Sequence, residues 1–187
     1  IPSEPSMRQG DLSHTRCPRV TETLRQSAFR PPQQRKEGDL ILGAGGRSAV
    51  GTLVERSTRL TLLLHLPDGR SAVQVEAAMR QAIAGLPDSL MRTITWDQGA
   101  EMAQHAAFTA ATSIPVYFCD PHSPWQRGSN ENTNGLLRQY LPKGADLNLT
   151  TRDRLQEIQD SLNTRPRKTL GYMTPSEKFA ELVATTA

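Results

Sequence analysis

Three carboxylates stand out in this 187-residue sequence by their settings: Asp39, Asp97 and Glu131. Asp39 follows Gly38 and opens the apolar run Leu40-Ile41-Leu42, where an unpaired buried charge is strongly disfavoured. Asp97 closes the segment Met91 to Trp96 (MRTITW), at the carboxyl end of an expected strand, the edge where open α/β sheets commonly bind ligands. Glu131 comes early in an expected helix after a Gly- and Asn-rich approach. Acids drawn from two strands and one helix can meet at one point, and such a cluster repels itself unless protons or metal neutralise it. Hard oxygen donors select Mg²⁺ or Mn²⁺. A pair of these ions clamps a phosphoryl group, one activating water or a 3′-hydroxyl and the other stabilising the leaving oxygen. Taken singly, each acid also has a plainer reading, as a turn or capping Asp or as a solvated helical Glu.

The elements that must carry these acids follow from pattern and punctuation. Residues 1–36 hold scattered Pro, Arg and Ser with almost no apolar period, and read as a disordered or irregular arm. From residue 37 to 187 the character is that of a folded core. Asp39 to Leu42, Ser48 to Glu55 and Arg59 to Leu66 read as three strands in quick succession, an antiparallel meander. Ser71 offers an N-cap to a helix that runs toward Gly85. Met91 to Trp96 and Pro115 to Phe118 are two further strands, separated by an alanine-rich helix over about 101–112. Helices are expected from about Glu131 to Tyr140 and from about Arg152 to Asn163, with a last one opened by Thr174-Pro175. The order predicts an α/β fold, a mixed five-stranded sheet of three antiparallel strands and two parallel additions, with helices on both faces.

Composition bounds the rest. Hydrophobic content of 36% and aromatic content of 5% suit one core with loose ends rather than two packed domains. The net charge of +3 is held entirely by residues 1–38, with seven Lys/Arg against four Asp/Glu; the remainder carries 15 of each sign. Attraction to phosphate in the core must therefore come from local clusters or bound metal. No apolar run approaches the roughly 20 residues that cross a bilayer, and no secretory signal is present. Two distant cysteines, Cys17 and Cys119, form no disulfide framework and fit a reducing cytoplasm.

The motifs are more specific than the pattern. Glu37-Gly38-Asp39-Leu40-Ile41, Thr95-Trp96-Asp97-Gln98-Gly99 and the long run from Tyr117 to Gly135 (YFCDPHSPWQRGSNENTNG) resemble the transposases named after insertion sequence 30, within the Asp-Asp-Glu transposase and retroviral integrase group. Between Asp97 and Glu131 lie 33 residues, the spacing of that family. Leu162 to Gly171 (LNTRPRKTLG) and Thr174-Pro175-Ser176-Glu177 resemble its C-terminal signature.

The resemblance covers about residues 37–183. It implies a ribonuclease-H-like catalytic core that cleaves and joins DNA at insertion-sequence ends. It assigns catalysis and two Mg²⁺ or Mn²⁺ ions to Asp39, Asp97 and Glu131. It further implies double-stranded DNA (transposon ends and target) as partner, a homo-oligomer in the active complex, no membrane, and a bacterial cytoplasmic, nucleoid-associated setting. Positions 131, 134, 135 and 138 share one helix face, so Asn134 and Arg138 are expected at the DNA backbone, with Arg127 and Asn130 beside them. The basic cluster Arg165, Arg167 and Lys168 is a further expected DNA contact. Lys36 stands where the family usually has an aromatic residue, Tyr172 where a tryptophan is more usual. The upstream helix-turn-helix is not recognisable, which predicts a truncated or frameshifted copy. The alternative is a catalytically silent remnant that binds DNA or a full-length partner.

Overall fold

Strand β1 (Arg35–Leu42) lies at the centre of a five-stranded sheet in the order β3-β2-β1-β4-β5. The structure is a computed structural model and describes residues 35–87, 90–97, 99–120 and 124–186; the irregular arm expected over 1–36 lies outside these up to residue 34. Strands β2 (Ala49–Glu55) and β3 (Thr61–Leu66) follow as the antiparallel meander, and β4 (Thr93–Trp96) and β5 (Val116–Phe118) add in parallel on the other side of β1. Among the described residues five α-helices complete the fold: α1 (Ala72–Ile83), α2 (His105–Thr112), α3 (Gly128–Leu137), α4 (Arg152–Asn163) and α5 (Pro175–Thr186).

Helices cover the sheet on both faces, so all seven residues of β2 are buried and the solvent-facing alternation of a one-sided sheet is absent. One face packs Leu53, Leu64, Ile94 and Trp96 against Val75 and Met79 of α1 and Phe108 of α2. The other packs Ile41 and Val50 against Leu137 of α3 and Leu155, Ile158 and Leu162 of α4. Local signals set the helix starts. Ser71 and Gln74 form a reciprocal capping box on α1. At α5, Glu177 N donates to Thr174 Oγ1 while Thr174 N donates to Glu177 Oε2. No helix among the described residues is long and apolar enough to cross a membrane.

Several boundaries differ from expectation, among them the start of α2 at His105 rather than about 101 and the end of α3 at Leu137 rather than about Tyr140; two others bear on the site. β1 begins at Arg35, so the folded core takes in the last two residues of the expected arm. The charge-rich Arg35-Lys36-Glu37 reads as irregular until tertiary partners are supplied. Lys36 is 1% exposed and its Nζ donates to Leu90 O at 3.1 Å, while Glu37 is 2% exposed. α3 starts at Gly128, three residues before its expected first turn at Glu131. Gly, Ser and Asn are weak helix formers, and contacts of Ser129 and Asn130 decide the matter.

Burial pushes the Lys36 ammonium down to about 8, partly offset by Glu55. A lysine lowered in the fold binds fewer protons than the unfolded chain between about pH 8 and 10.5, so its contribution to stability is present above the ordinary value and lost as pH falls through 8. Lys36→Met is therefore expected to gain stability at neutral pH, an advantage that shrinks by about 2–3 kcal/mol between pH 7 and 10. Urea denaturation of both proteins across that range tests it. Burial also raises the Cys119 thiol to about 11, which acts in the opposite sense above pH 9; the difference between the two proteins removes it. A difference that stays flat with pH would place the ammonium in a solvated setting.

Candidate active site

Register brings the acids to one face. Across the sheet Asp39 stands opposite Thr52, Gly38 opposite Leu53, and Glu37 is paired in parallel with Thr95. Side chains alternate along a strand, so Glu37, Asp39, Thr52 and Thr95 share the face covered by α3. Asp97 follows two residues after Thr95, just past the end of β4.

Asp39 and Asp97 are joined by one cation. Arg127 Nη1 lies 3.3 Å from Asp39 Oδ1 and Arg127 Nη2 lies 2.7 Å from Asp97 Oδ2. Asp39 is further held by Leu40 N, which donates to Oδ1 at 2.9 Å, and by Asn134 Nδ2, which donates to Oδ2 at 3.0 Å. Burial raises the Asp39 carboxyl above the usual range; Arg127 and the Leu40 amide act against that, and Asp97 and Glu101 add to it. The site thus concentrates negative charge in a partly desolvated position and supplies one guanidinium to balance it.

A polar bracket under α3 fixes the helix on the strand. Glu37 Oε2 accepts from Asn130 N at 2.9 Å, and Thr52 Oγ1 donates to Asn130 Oδ1 at 2.8 Å and to Asn134 Oδ1 at 3.3 Å. Asp120 and Gln126 close the preceding loop, with Asp120 N donating to Gln126 Oε1 at 2.9 Å and Gln126 Nε2 to Asp120 Oδ2 at 3.0 Å. That closure sets the chain immediately before Arg127.

The expected site residues separate into groups. Asp39 and Asp97 are brought together. Glu131 is exposed on α3, one turn from Asn134 on the same side, and no three His, Cys, Asp or Glu side chains among the described residues form a metal-holding group. Asn130, expected at the DNA backbone, is 0% exposed and sits in the interior bracket. Asn134 touches Asp39 and so orients a carboxylate. Arg138 donates to the carbonyls of Leu42 and Leu141, at 3.2 and 3.4 Å, bracing the end of β1. Arg165 and Lys168 are exposed, and Arg167 is half-buried with Nη2 donating to Leu162 O at 3.1 Å. Pattern reading missed Glu37, Thr52 and Glu101; the pair Glu37 and Asp39, two apart on one strand, was the available signal.

The donor set fits a divalent cation. Two carboxylates from neighbouring parallel strands already share a positive partner, and their hard oxygens match the preference of Mg²⁺ or Mn²⁺.

Similarity to known proteins agrees with the geometry. The chain is 51% identical over 171 residues, 91% of its own length and 48% of the relative's, to the transposase for insertion sequence element IS1086 of Cupriavidus metallidurans (strain ATCC 43123 / DSM 2839 / NBRC 102507 / CH34). That stretch is longer than residues 37–183, over which the motifs carry the resemblance. It is 48% identical over 150 residues, 80% of this chain and 39% of the relative, to transposase InsI for insertion sequence element IS30C of Escherichia coli (strain K12). The chain therefore spans about half the length, or less, of these curated relatives. Among solved structures, the catalytic core domain of BIV integrase superposes with a TM-score of 0.61 at 19% identity, covering 82% of this chain and 97% of that one. This establishes the ribonuclease-H-like fold. A family model described as integrase core domain matches residues 30–124, taking in Asp39 and Asp97. The chain belongs to the integrase core domain family, with transposases of the insertion sequence 30 type as its relatives.

Proposed function

We propose that this chain is the catalytic core of a DNA transposase, cutting and joining strands at insertion-sequence ends with Asp39, Asp97 and Glu131 as ligands of two divalent ions. The observation that carries the reading is the Arg127 bridge. Two acids separated by 57 intervening residues converge on a single cation at the carboxyl edge of the sheet. When bound, Mg²⁺ or Mn²⁺ supplies nucleophile activation and leaving-group stabilisation at a phosphodiester.

The protein's own groups prepare that chemistry. Leu40 N and Asn134 Nδ2 hold the two oxygens of Asp39 in fixed directions, which limits reorganisation during reaction. The bracket of Glu37, Thr52 and Asn130 ties α3, the helix that carries Glu131, to β1 and β2. Arg127, once another cation balances Asp39 and Asp97, is placed to donate to a DNA phosphate through its two-pronged fork. Exposed Arg165 and Lys168 extend the contact along the backbone. Joining two transposon ends to one target requires two active sites, and the working form is a dimer or larger assembly of this chain.

A joining assay tests the reading. The full chain is mixed with a pre-cut transposon end bearing a free 3′-hydroxyl, a supercoiled plasmid and Mg²⁺ or Mn²⁺. The expected result is a new phosphodiester between end and plasmid. Hydrolysis without joining would make the chain a nuclease, and a mobility shift without any product would make it a silent DNA binder.

A further inference from the structure

Beside the carboxylate face, the first turns of α3 wall a second feature. A cavity of about 310 Å³ is lined by Arg56, Arg59, Arg167, Ser129, Asn132 and Thr133, with Gly128 and Thr169 at its edge. Its size is at the lower end of the about 300–1,000 Å³ of ordinary ligand pockets. Among the described residues lining it there is no carboxylate. Among the described residues, of its three guanidiniums only Arg56 is ion-paired, its half-exposed side chain lying 3.5 Å from Oε1 of the buried Glu37. Arg59 donates to Ser129 Oγ, a neutral partner.

Arg167 forms the far wall, its Nη2 donating to Leu162 O. Its Nε is buried and has no hydrogen-bond partner, which is unfavourable for a charged donor. Burial and the neighbouring Arg165 push it below its usual value. Three guanidiniums that crowd a cavity repel one another and are stabilised by an anion. The positive end of the α3 dipole lies at the same place.

The turn that presents Arg59 is built to stay put. Glu55 accepts from Ser57 N, Thr58 N and Thr58 Oγ1 at 3.0, 2.6 and 2.7 Å. Arg59 itself adopts φ 63, in the left-handed region, a conformation a non-glycine residue holds at a small cost.

We infer that this cavity binds a phosphodiester of the DNA backbone. The inference rests on the reading of the chain as a DNA-joining core. Residues 128, 129, 132 and 133 line the cavity, and 127 and 134 contact the acids, so the two sites sit back to back on one helix. A strand crossing the start of α3 passes over both.

The test is binding of a short labelled duplex to the full chain without divalent metal, measured by fluorescence anisotropy over a salt series. Arg59→Asn suits the left-handed φ, and Arg167→Gln removes charge at the other wall. Each is expected to reduce the slope of log affinity against log salt by about 0.9, one phosphate contact. Arg154→Gln, on the exposed side of α4, is expected to leave the slope unchanged. Inorganic phosphate added to wild-type protein should shift the amide resonances of Ser129, Asn132 and Thr133 and weaken duplex binding more than chloride at equal ionic strength. That arm needs no variant to fold. Folded variants that keep the wild-type slope overturn the inference. So does phosphate that shifts those amides without competing with duplex, which would make the cavity a site for free phosphate alone. Wild-type protein that binds no duplex at low salt would instead overturn the DNA-joining reading on which the inference stands.

Discussion

Asp97→Asn is expected to lower strand joining by on the order of 10³-fold or more while the protein stays folded. The substitution exchanges a charged oxygen for a neutral amide of nearly the same shape, so the carboxylate pair loses a metal-ligand charge and keeps its volume. The effect on stability is small because the pair with Arg127, although 2.7 Å long, involves an Asp97 side chain that is 51% exposed, and such pairs contribute at most about 1 kcal/mol. A second readout needs no catalysis. Burial, with help from Asp97 and Glu101, raises Asp39 above its ordinary value. A raised acid contributes stability that is complete below its unfolded value and is lost as pH rises through the folded one. In metal-free wild-type protein this contribution should therefore be lost as pH climbs out of the ordinary carboxylate range. Asp97→Asn should shrink that loss, because one of the charges acting on Asp39 is gone. Joining at near-native rate in the variant would remove Asp97 from the catalytic set.

Gly38→Ala is expected to exceed the about 1–3 kcal/mol of ordinary overpacking, a large part of the about 5–15 kcal/mol that holds a domain together. A β-carbon at residue 38 would fall inside the van der Waals envelope of Trp96 Cε3 and Cζ3. Trp96 is 0% exposed and cannot swing away without opening the core. The damage is also functional, because Gly38 precedes Asp39 and Trp96 precedes Asp97. Forcing β1 and β4 apart separates the two acids. Urea denaturation gives the stability loss. Gly85→Ala, where an added carbon meets nothing within 4 Å, is the matched control and should be neutral or stabilising by about 0.4–1 kcal/mol. Pairing Gly38→Ala with Trp96→Leu should recover part of the loss if the clash is the cause. A Gly38→Ala protein as stable as wild type would mean that the indole does not pack across that backbone.

Much of this arrangement was legible beforehand. The order of strands and helices, the sheet of three antiparallel and two parallel members, and the caps at Ser71 and Thr174 all follow from local pattern. Asp39 and Asp97 could be singled out because an acid directly beside an apolar strand run is unusual. What pattern could not carry was the identity of remote partners. Lys36 and Glu37 look like surface charges until Leu90, Arg56 and Asn130 enclose them from segments far along the chain. Asn130 looks like a DNA-facing amide in an Asn-rich run, yet Thr52, 78 residues away, claims it for the interior. The start of α3 was hidden for the same reason, since its first residues are poor helix formers held by tertiary contacts. Arg127 reads from the sequence as a DNA-backbone contact, and only the convergence of two strands reveals it as the cation between two acids.

Anomalous diffraction from crystals of the full chain grown with Mn²⁺ and a transposon-end duplex addresses the proposed metal centre directly. Two manganese peaks are expected where Arg127 now lies, ligated by oxygens of Asp39, Asp97 and Glu131, with the guanidinium displaced toward a DNA phosphate. Manganese absent from the space between Asp39 and Asp97, or bound there with Glu131 turned to solvent, would contradict it.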